Sequence, residues 1–238
     1  MSWHTGRLAA FDLETTGVDV EQDRIVTAAI VIVGGNQLTE THQWLANPGI
    51  DIPEPAAAVH GITTEHAQQN GRPAREVVEQ VSALLAEQAA AGIPIVAMNA
   101  RYDLTLLDRE LQRHGLASLA GQAGRDPLVL DPLVLDKRAD QYRKGKRTLT
   151  VMAAHYKVPL GEDAHTAGAD ALAAARIVYV IAKRYPNMQD WTLQHLHDSQ
   201  IEWAADQAAS LQEYFRKKDP SAVVEQEWPL IPRQGGAR

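Results

Sequence analysis

Arg7-Leu8-Ala9-Ala10-Phe11-Asp12-Leu13-Glu14-Thr15 reads as a strand that ends on two acids. Successive strand side chains alternate between faces, so Asp12 and Glu14 share one face while Phe11 and Leu13 point into the core. Working outward, residues 24–33 are rich in Val and Ile, and Gly34-Gly35-Asn36 supplies the turn to a third strand at 37–45. This spacing predicts a three-strand antiparallel meander. A Pro-containing loop follows at 47–55, and then the period changes. Val77, Val78, Val81, Leu84 and Leu85 recur at helical spacing within 73–91, and Gly92 and Pro94 end that helix. A short buried strand at 95–98 comes next, then a helix at 104–114 closed by Gly115, and another short strand at 128–130. Residues 149–156 read as a helix, and the Ala-rich stretch 167–185 as a long one. A meander followed by alternating helices and strands predicts an α/β fold, a mixed sheet flanked by helices.

The break Tyr185-Pro186-Asn187 marks a boundary after a first domain at 1–185. Beyond it, Ile201, Ala204, Ala205, Ala208, Leu211 and Phe215 recur at helical intervals, so 190–217 reads as one amphipathic helix within a 186–219 extension. The pattern fades after Asp219-Pro220, and 220–238 reads as a flexible tail. With no cysteine, disulfides, thiolate-bound zinc and thiol nucleophiles are excluded, so any metal site must use oxygen or imidazole ligands. The formal net charge of −7 argues against non-specific coating of nucleic acid, but not against a nuclease with a local basic patch. No apolar run is long enough to cross a bilayer, and Met1-Ser2-Trp3-His4 lacks the features of a signal peptide; a cytoplasmic protein is expected.

Several residues stand out for chemistry. Side by side, Asp12 and Glu14 repel unless a cation neutralises them; the bland alternative is a pair of solvated acids. Thr15-Thr16-Gly17 after them is a tight polar turn. Asp103 follows a buried strand, a common place for sites in α/β folds, although it also suits a helix cap. Asn99 stands four residues earlier, placed to orient a neighbouring carboxylate. Asp170 lies among Ala167, Ala169, Ala171 and Ala173 and needs a partner there, and His165 precedes it in a loop. A loop His is ordinarily solvated; near a metal it becomes a general base of tunable pKa. Arg138, Arg143, Lys144, Lys146 and Arg147 make 137–147 a mobile basic loop. The repeat Asp126-Pro-Leu-Val-Leu, Asp131-Pro-Leu-Val-Leu, followed by Asp136, reads as a strand and its turn.

Taken together, Phe-Asp-Leu-Glu-Thr-Thr-Gly (11–17), Asn-Ala-Arg-Tyr-Asp (99–103) and His-Thr-Ala-Gly-Ala-Asp-Ala (165–171) resemble the three motifs of the DEDDh-type 3′–5′ exonuclease family. The likeness is most of all to the proofreading epsilon type of bacterial DNA polymerase III, and it covers roughly 7–184. Val59-His60-Gly61-Ile62-Thr63 also looks like the family's segment between its first two motifs, and Tyr102 stands where many relatives carry Phe. The resemblance implies a ribonuclease H-like fold and two divalent cations, Mg²⁺ or Mn²⁺. It implies that Asp12 bridges the two cations, Glu14 and Asp170 hold the first, and Asp103 helps the second, partly through water. It further implies His165 as general base, and a substrate end that threads past Thr15, His60 and Tyr102 to release a nucleoside 5′-monophosphate. Arg143, Lys144, Lys146 and Arg147 are expected to contact backbone phosphates.

The expected activity is therefore removal of 3′-terminal nucleotides, mainly from single-stranded DNA, in proofreading or repair. The motifs leave open an exoribonuclease acting on short RNA. A non-catalytic nucleic-acid-binding or assembly module is the third reading, disfavoured because no acid of the set is missing. For the C-terminal helix three fates are open: packing back on the domain, pairing with a second copy, or binding a polymerase.

Overall fold

The first three strands form the expected meander: β1 (Arg7–Thr15), β2 (Ile25–Gly34) and β3 (Glu40–Asn47). In this computed structural model, residues 2–160 and 166–233 are described. Two short strands, β5 (Ile95–Val96) and β6 (Val129–Leu130), add in parallel beyond β1, and a two-residue β4 (Arg72–Pro73) pairs with β3 at the far edge. The strand order is β4-β3-β2-β1-β5-β6. Strand β2, Ile-Val-Thr-Ala-Ala-Ile-Val-Ile-Val-Gly, is buried along most of its length, which requires cover on both faces.

That cover comes from the helices. Helices α1 (Glu54–His60) and α2 (Thr64–Asn70) begin at the end of the Pro-containing loop and fill a stretch for which the sequence predicts no element; each is too short to show a period. Helix α3 (Ala74–Ala90) buries Val77, Val78, Val81 and Leu85. Helices α4 (Ala100–Arg113), α5 (Leu119–Ala123), α6 (Pro132–Ala139) and α7 (Leu149–Tyr156) follow. Helix α8 (Ala167–Arg184) lies on β1 and β2, and its buried Ala171, Ala173, Ala174 and Ala175 let the backbones approach closely.

Helix α9 (Leu193–Arg216) is the expected amphipathic helix, and it joins the main core through Leu196, Trp203 and Ala204. It also seals the sheet. The outward amide of Val129 donates to His197 Nδ1 at 3.0 Å, Gln200 Nε2 donates to the Val129 carbonyl at 2.9 Å, and the Asp131 amide donates to Gln200 Oε1 at 2.8 Å. These side chains take the place of a further strand along an edge that would otherwise stay unpaired. No described helix is long and apolar enough to cross a membrane.

The expected flexible tail differs from the structure through residue 233. Trp228 is only 5% exposed, and its Nε1 donates to Asp131 at 3.4 Å. The Ile231 amide donates to Thr105 Oγ1 at 3.0 Å, and Arg233 pairs with Asp108 at 2.7 Å. The segment is anchored by isolated contacts in irregular chain, which leaves no period to read. Residues 234–238 lie outside the described region.

Candidate active site

Because β1, β5 and β6 are parallel, their C-terminal ends share one edge of the sheet. Asp12 and Glu14 close β1 there. The β1–β2 register shifts between Glu14 and Thr15, a bulge that re-aims the chain as it leaves the strand. Asp170 comes from the first turn of α8, a helix packed on β1 and capped by Thr166. One carboxylate oxygen from each of Asp12, Glu14 and Asp170 lies within 4.8 Å of the others. Asp103, in the first turn of α4 and 4% exposed, accepts the Leu13 amide at 3.1 Å. That bond ties α4 to the stretch between the two β1 acids and leaves the second Asp103 oxygen uncommitted to it.

Electrostatics show what this arrangement costs. Burial, then the charges of Asp103, Glu14 and Asp170, push the Asp12 carboxyl well above the ordinary carboxylate range. Burial pushes Asp103 up too, against the lowering effect of the Leu13 amide. Burial and then Asp170 raise Glu14 to about 7. The four acids thus resist ionising together and accept either protons or a cation. Their donor set is all oxygen, which suits a hard divalent ion.

Around the acids, the Thr15–Gly17 turn is closed by hydrogen bonds. Thr15 Oγ1 donates to the Gly17 carbonyl at 2.7 Å, the Tyr102 hydroxyl meets Thr15 Oγ1 at 2.7 Å, and that hydroxyl also reaches the Gly17 carbonyl. An added Cβ at Gly17 would meet the Asp23 carboxylate at 2.5 Å, so a side chain there would displace Asp23 from its bonds to Thr16 and the Asp19 amide. Burial raises the Tyr102 phenol to about 12, so it stays protonated at neutral pH. His60, at the end of α1, accepts the Ile62 amide through Nδ1 at 3.2 Å, and burial lowers its pKa. A pocket of about 350 Å³ joins Glu14 and His60 to Thr27, Gln43, Trp44 and Thr166. Gln43 and Trp44 carried no sequence signal, being ordinary β3 residues until the fold sets them beside Glu14.

The remaining expected residues fall in different places. His165 lies outside the described residues. Asn99 is exposed and left-handed (φ 61°); it contributes its backbone amide, bonded to Asp131 at 3.0 Å, and its side chain does not cap α4. Asp131, buried, also accepts the Ala100 amide at 3.0 Å and caps α6 through the Leu133 amide at 2.8 Å. The repeat containing it is therefore the start of a helix where a turn was expected, and Asp131 holds the turn that leads to Asp103. Lys144 and Lys146 are exposed on the loop, but Arg143 and Arg147 are drawn inward onto the fully buried Asp136. The basic stretch is thus anchored at two points.

Acids from three elements converge at the edge of a sheet whose strand order is that of the ribonuclease H-like fold. The family model described as Exonuclease, of the RNase T type, matches residues 9–178, and the chain belongs to that family. It is 30% identical over 189 residues to a DNA polymerase III of PolC type from Lacticaseibacillus paracasei, across 79% of this chain and 12% of that protein. To a DNA polymerase III subunit epsilon-like protein from Rhodobacter capsulatus it is 35% identical over 169 residues, 69% of this chain and 22% of that one. To a 3′–5′ exonuclease DinG from Staphylococcus haemolyticus it is 25% identical over 189 residues, 79% of this chain and 19% of the relative. The chain spans less than a quarter of the length of these relatives. In fold it is similar to E. coli exonuclease I in complex with a dT13 oligonucleotide, with a TM-score of 0.64 at 18% identity over 78% of this chain and 43% of that one.

Proposed function

We propose that this domain is a 3′–5′ exonuclease that hydrolyses the terminal phosphodiester of single-stranded DNA and releases nucleoside 5′-monophosphates. The observation that carries the reading is the convergence of Asp12, Glu14 and Asp170 within 4.8 Å, with Asp103 beside them. The cluster fits two divalent cations, Mg²⁺ or Mn²⁺: Asp12, Glu14 and Asp170 would hold one, and Asp103 with Asp12 the other. When bound, such cations stabilise charge on the attacking and leaving oxygens of an in-line displacement.

The chain's own groups do the rest. His165 takes the proton of the attacking water. The 350 Å³ pocket beside Glu14 is of a size for one terminal nucleotide, with His60 at its wall. Thr15 and Tyr102, fixed on each other and on Gly17, shape the approach to it; the protonated phenol donates or wedges and does not act as a base. Lys144 and Lys146 meet backbone phosphates from the exposed loop, and Arg143 and Arg147 do so from fixed positions. Support for DNA comes from the relatives, two of which carry DNA polymerase III names, and from the fold neighbour with a dT13 oligonucleotide. The C-terminal helix packs on its own domain, and the polymerase or repair setting belongs to the same proposal.

The test is incubation of the purified protein with 3′- or 5′-labelled DNA and RNA oligomers, with Mg²⁺, Mn²⁺ or chelator. Expected are mononucleotide release from the 3′ end, DNA degraded faster than RNA, and no turnover with chelator. His165→Ala should lower kcat by about 100-fold or more. Faster loss of RNA would move the activity to an exoribonuclease, and inactivity on both would leave a binding module.

A further inference from the structure

A cleft of about 820 Å³, lined by none of the four acids, lies between the end of α6 with its following loop and the side of α9. One wall carries Lys137, Arg138, Arg143 and Arg147; the other presents Trp203 and Tyr214. In a chain of formal net charge −7, this is a local reversal of sign. Three acids offset part of it: Asp206 on the α9 wall, Asp136 behind the guanidiniums, and Asp140, 3.5 Å from Arg143 Nε.

The way the two arginines are held points to an anion. Asp136 Oδ1 accepts the Tyr156 hydroxyl at 2.6 Å, while its Oδ2 accepts both Arg143 and Arg147, the latter at 2.7 Å. One carboxylate thus fixes two guanidiniums, with Asp140 as a second, longer partner of Arg143. Arg143 Nε is buried and makes no hydrogen bond among the described residues. Beside this pair, the exposed Arg138 lies over the Trp203 ring at 5.3 Å, and Tyr214 stands 57% exposed. Fixed cations for phosphates next to an open aromatic face for a base are the chemistry of single-strand binding without sequence preference.

The cleft is also connected to the site through the fold. Helix α6 leaves from Asp131, whose carboxylate holds the Asn99–Ala100 turn in front of Asp103. The α9 wall lies beyond residues 9–178, outside the matched family region.

We propose that this cleft is a remote subsite for the sugar-phosphate backbone of a single strand whose 3′ end lies at the acidic cluster. The position of that end rests on the exonuclease reading; the binding of the strand does not. Arg138→Glu and Tyr214→Ala change exposed side chains and are combined in one variant. Two substrates are compared: an oligo(dT) of about 20 nucleotides, longer than a typical single-strand footprint, and the p-nitrophenyl ester of thymidine 5′-monophosphate, which reaches only the acidic cluster. The variant should raise KM for the oligomer about tenfold at unchanged kcat, flatten its log–log salt dependence by about 0.7 for each phosphate no longer neutralised, and leave the ester kinetics unchanged. An unchanged oligomer KM and salt slope, or an equal loss on the ester, would overturn the subsite. Fluorescence anisotropy of labelled oligo(dT) in chelator reads the cleft without turnover. Weaker binding by the variant, in a protein inactive on both substrates, upholds the cleft and removes the exonuclease reading. Equal binding by variant and wild type removes the cleft, and poly-glutamate binding the wild type more tightly than oligo(dT) would reassign it to an acidic protein partner.

Discussion

Replacing Glu14 with Gln should make the protein without metal less sensitive to rising pH and remove much of its stabilisation by Mg²⁺. The sign follows from proton uptake. Folding lifts the Glu14 carboxyl from its ordinary 4.5 to about 7, so between these values the native state holds a proton that the unfolded chain has released. Stability therefore falls as pH rises through that window and levels off above it. A gap of about 2.5 units corresponds to about 3.4 kcal/mol at about 1.36 kcal/mol per unit, for a fully shielded group. Glu14 keeps part of its surface open to solvent, and screening reduces the expected loss to about 1–2 kcal/mol. For a chain of this size that is about 2–8 °C in Tm. Asp12 and Asp103 are shifted in the same direction and steepen the wild-type curve. A divalent ion binds the ionised cluster, so its gain is larger at about pH 8 than at about pH 5, and Mg²⁺ at about ten times its Kd adds about 1.4 kcal/mol. The assay is a set of thermal melts of both proteins in chelator and in Mg²⁺ at the two pH values. If Glu14→Gln followed the wild-type pH curve in chelator, or kept the full Mg²⁺ gain at the higher pH, the acids would not form a cation site of the kind described.

Two other outcomes test the parts of the fold that hold this edge. Trp228→Ala should cost about 3 kcal/mol and lower Tm by about 6–12 °C, measured by calorimetry; a change of under about 1 °C would mean that Trp228 does not pack against Asp131 and His197 in solution. Gln200→Ala leaves the buried Asp131 amide and Val129 carbonyl without their partners, at about 1–3 kcal/mol for each. Hydrogen exchange should then quicken at Asp131 ahead of the β1 and β2 amides and of Val129, whose amide keeps His197, and unchanged protection at Asp131 would refute the sealing role of Gln200.

The regular elements were readable because their periods are set by local burial. The strand expected at 7–15 and the helix at 149–156 agree with β1 and α7 in both bounds. Helix α6 did carry a signal, Asp131 before Pro132, an N-cap followed by a proline suited to the first turn. Eight residues, of which the first five repeat 127–131, are too few to show a helical period, and the turn reading prevailed. The tail was illegible for a different reason. Trp228, Ile231 and Arg233 each answer to a partner about a hundred residues away, and irregular chain imposes no spacing on them.

By itself the sequence determined the chemistry on offer. Asp12, Glu14, Asp103 and Asp170, the absence of cysteine and the order of the three motifs are properties of covalent structure, and no folding was needed to read them. Only the tertiary structure decided what those groups face. The parallel pairing of β1 with β5 and the packing of α8 on β1 bring acids some 160 residues apart within 4.8 Å, and burial there raises the Asp12 and Glu14 carboxyls so that the cluster calls for protons or a cation. The same packing bound Arg143 and Arg147 to Asp136, made Asp131 the support of the Asp103 turn, and turned the C-terminal helix into the seal of β6. Distances through space and shielding from water decide such roles, and neither is encoded in the spacing of residues along the chain.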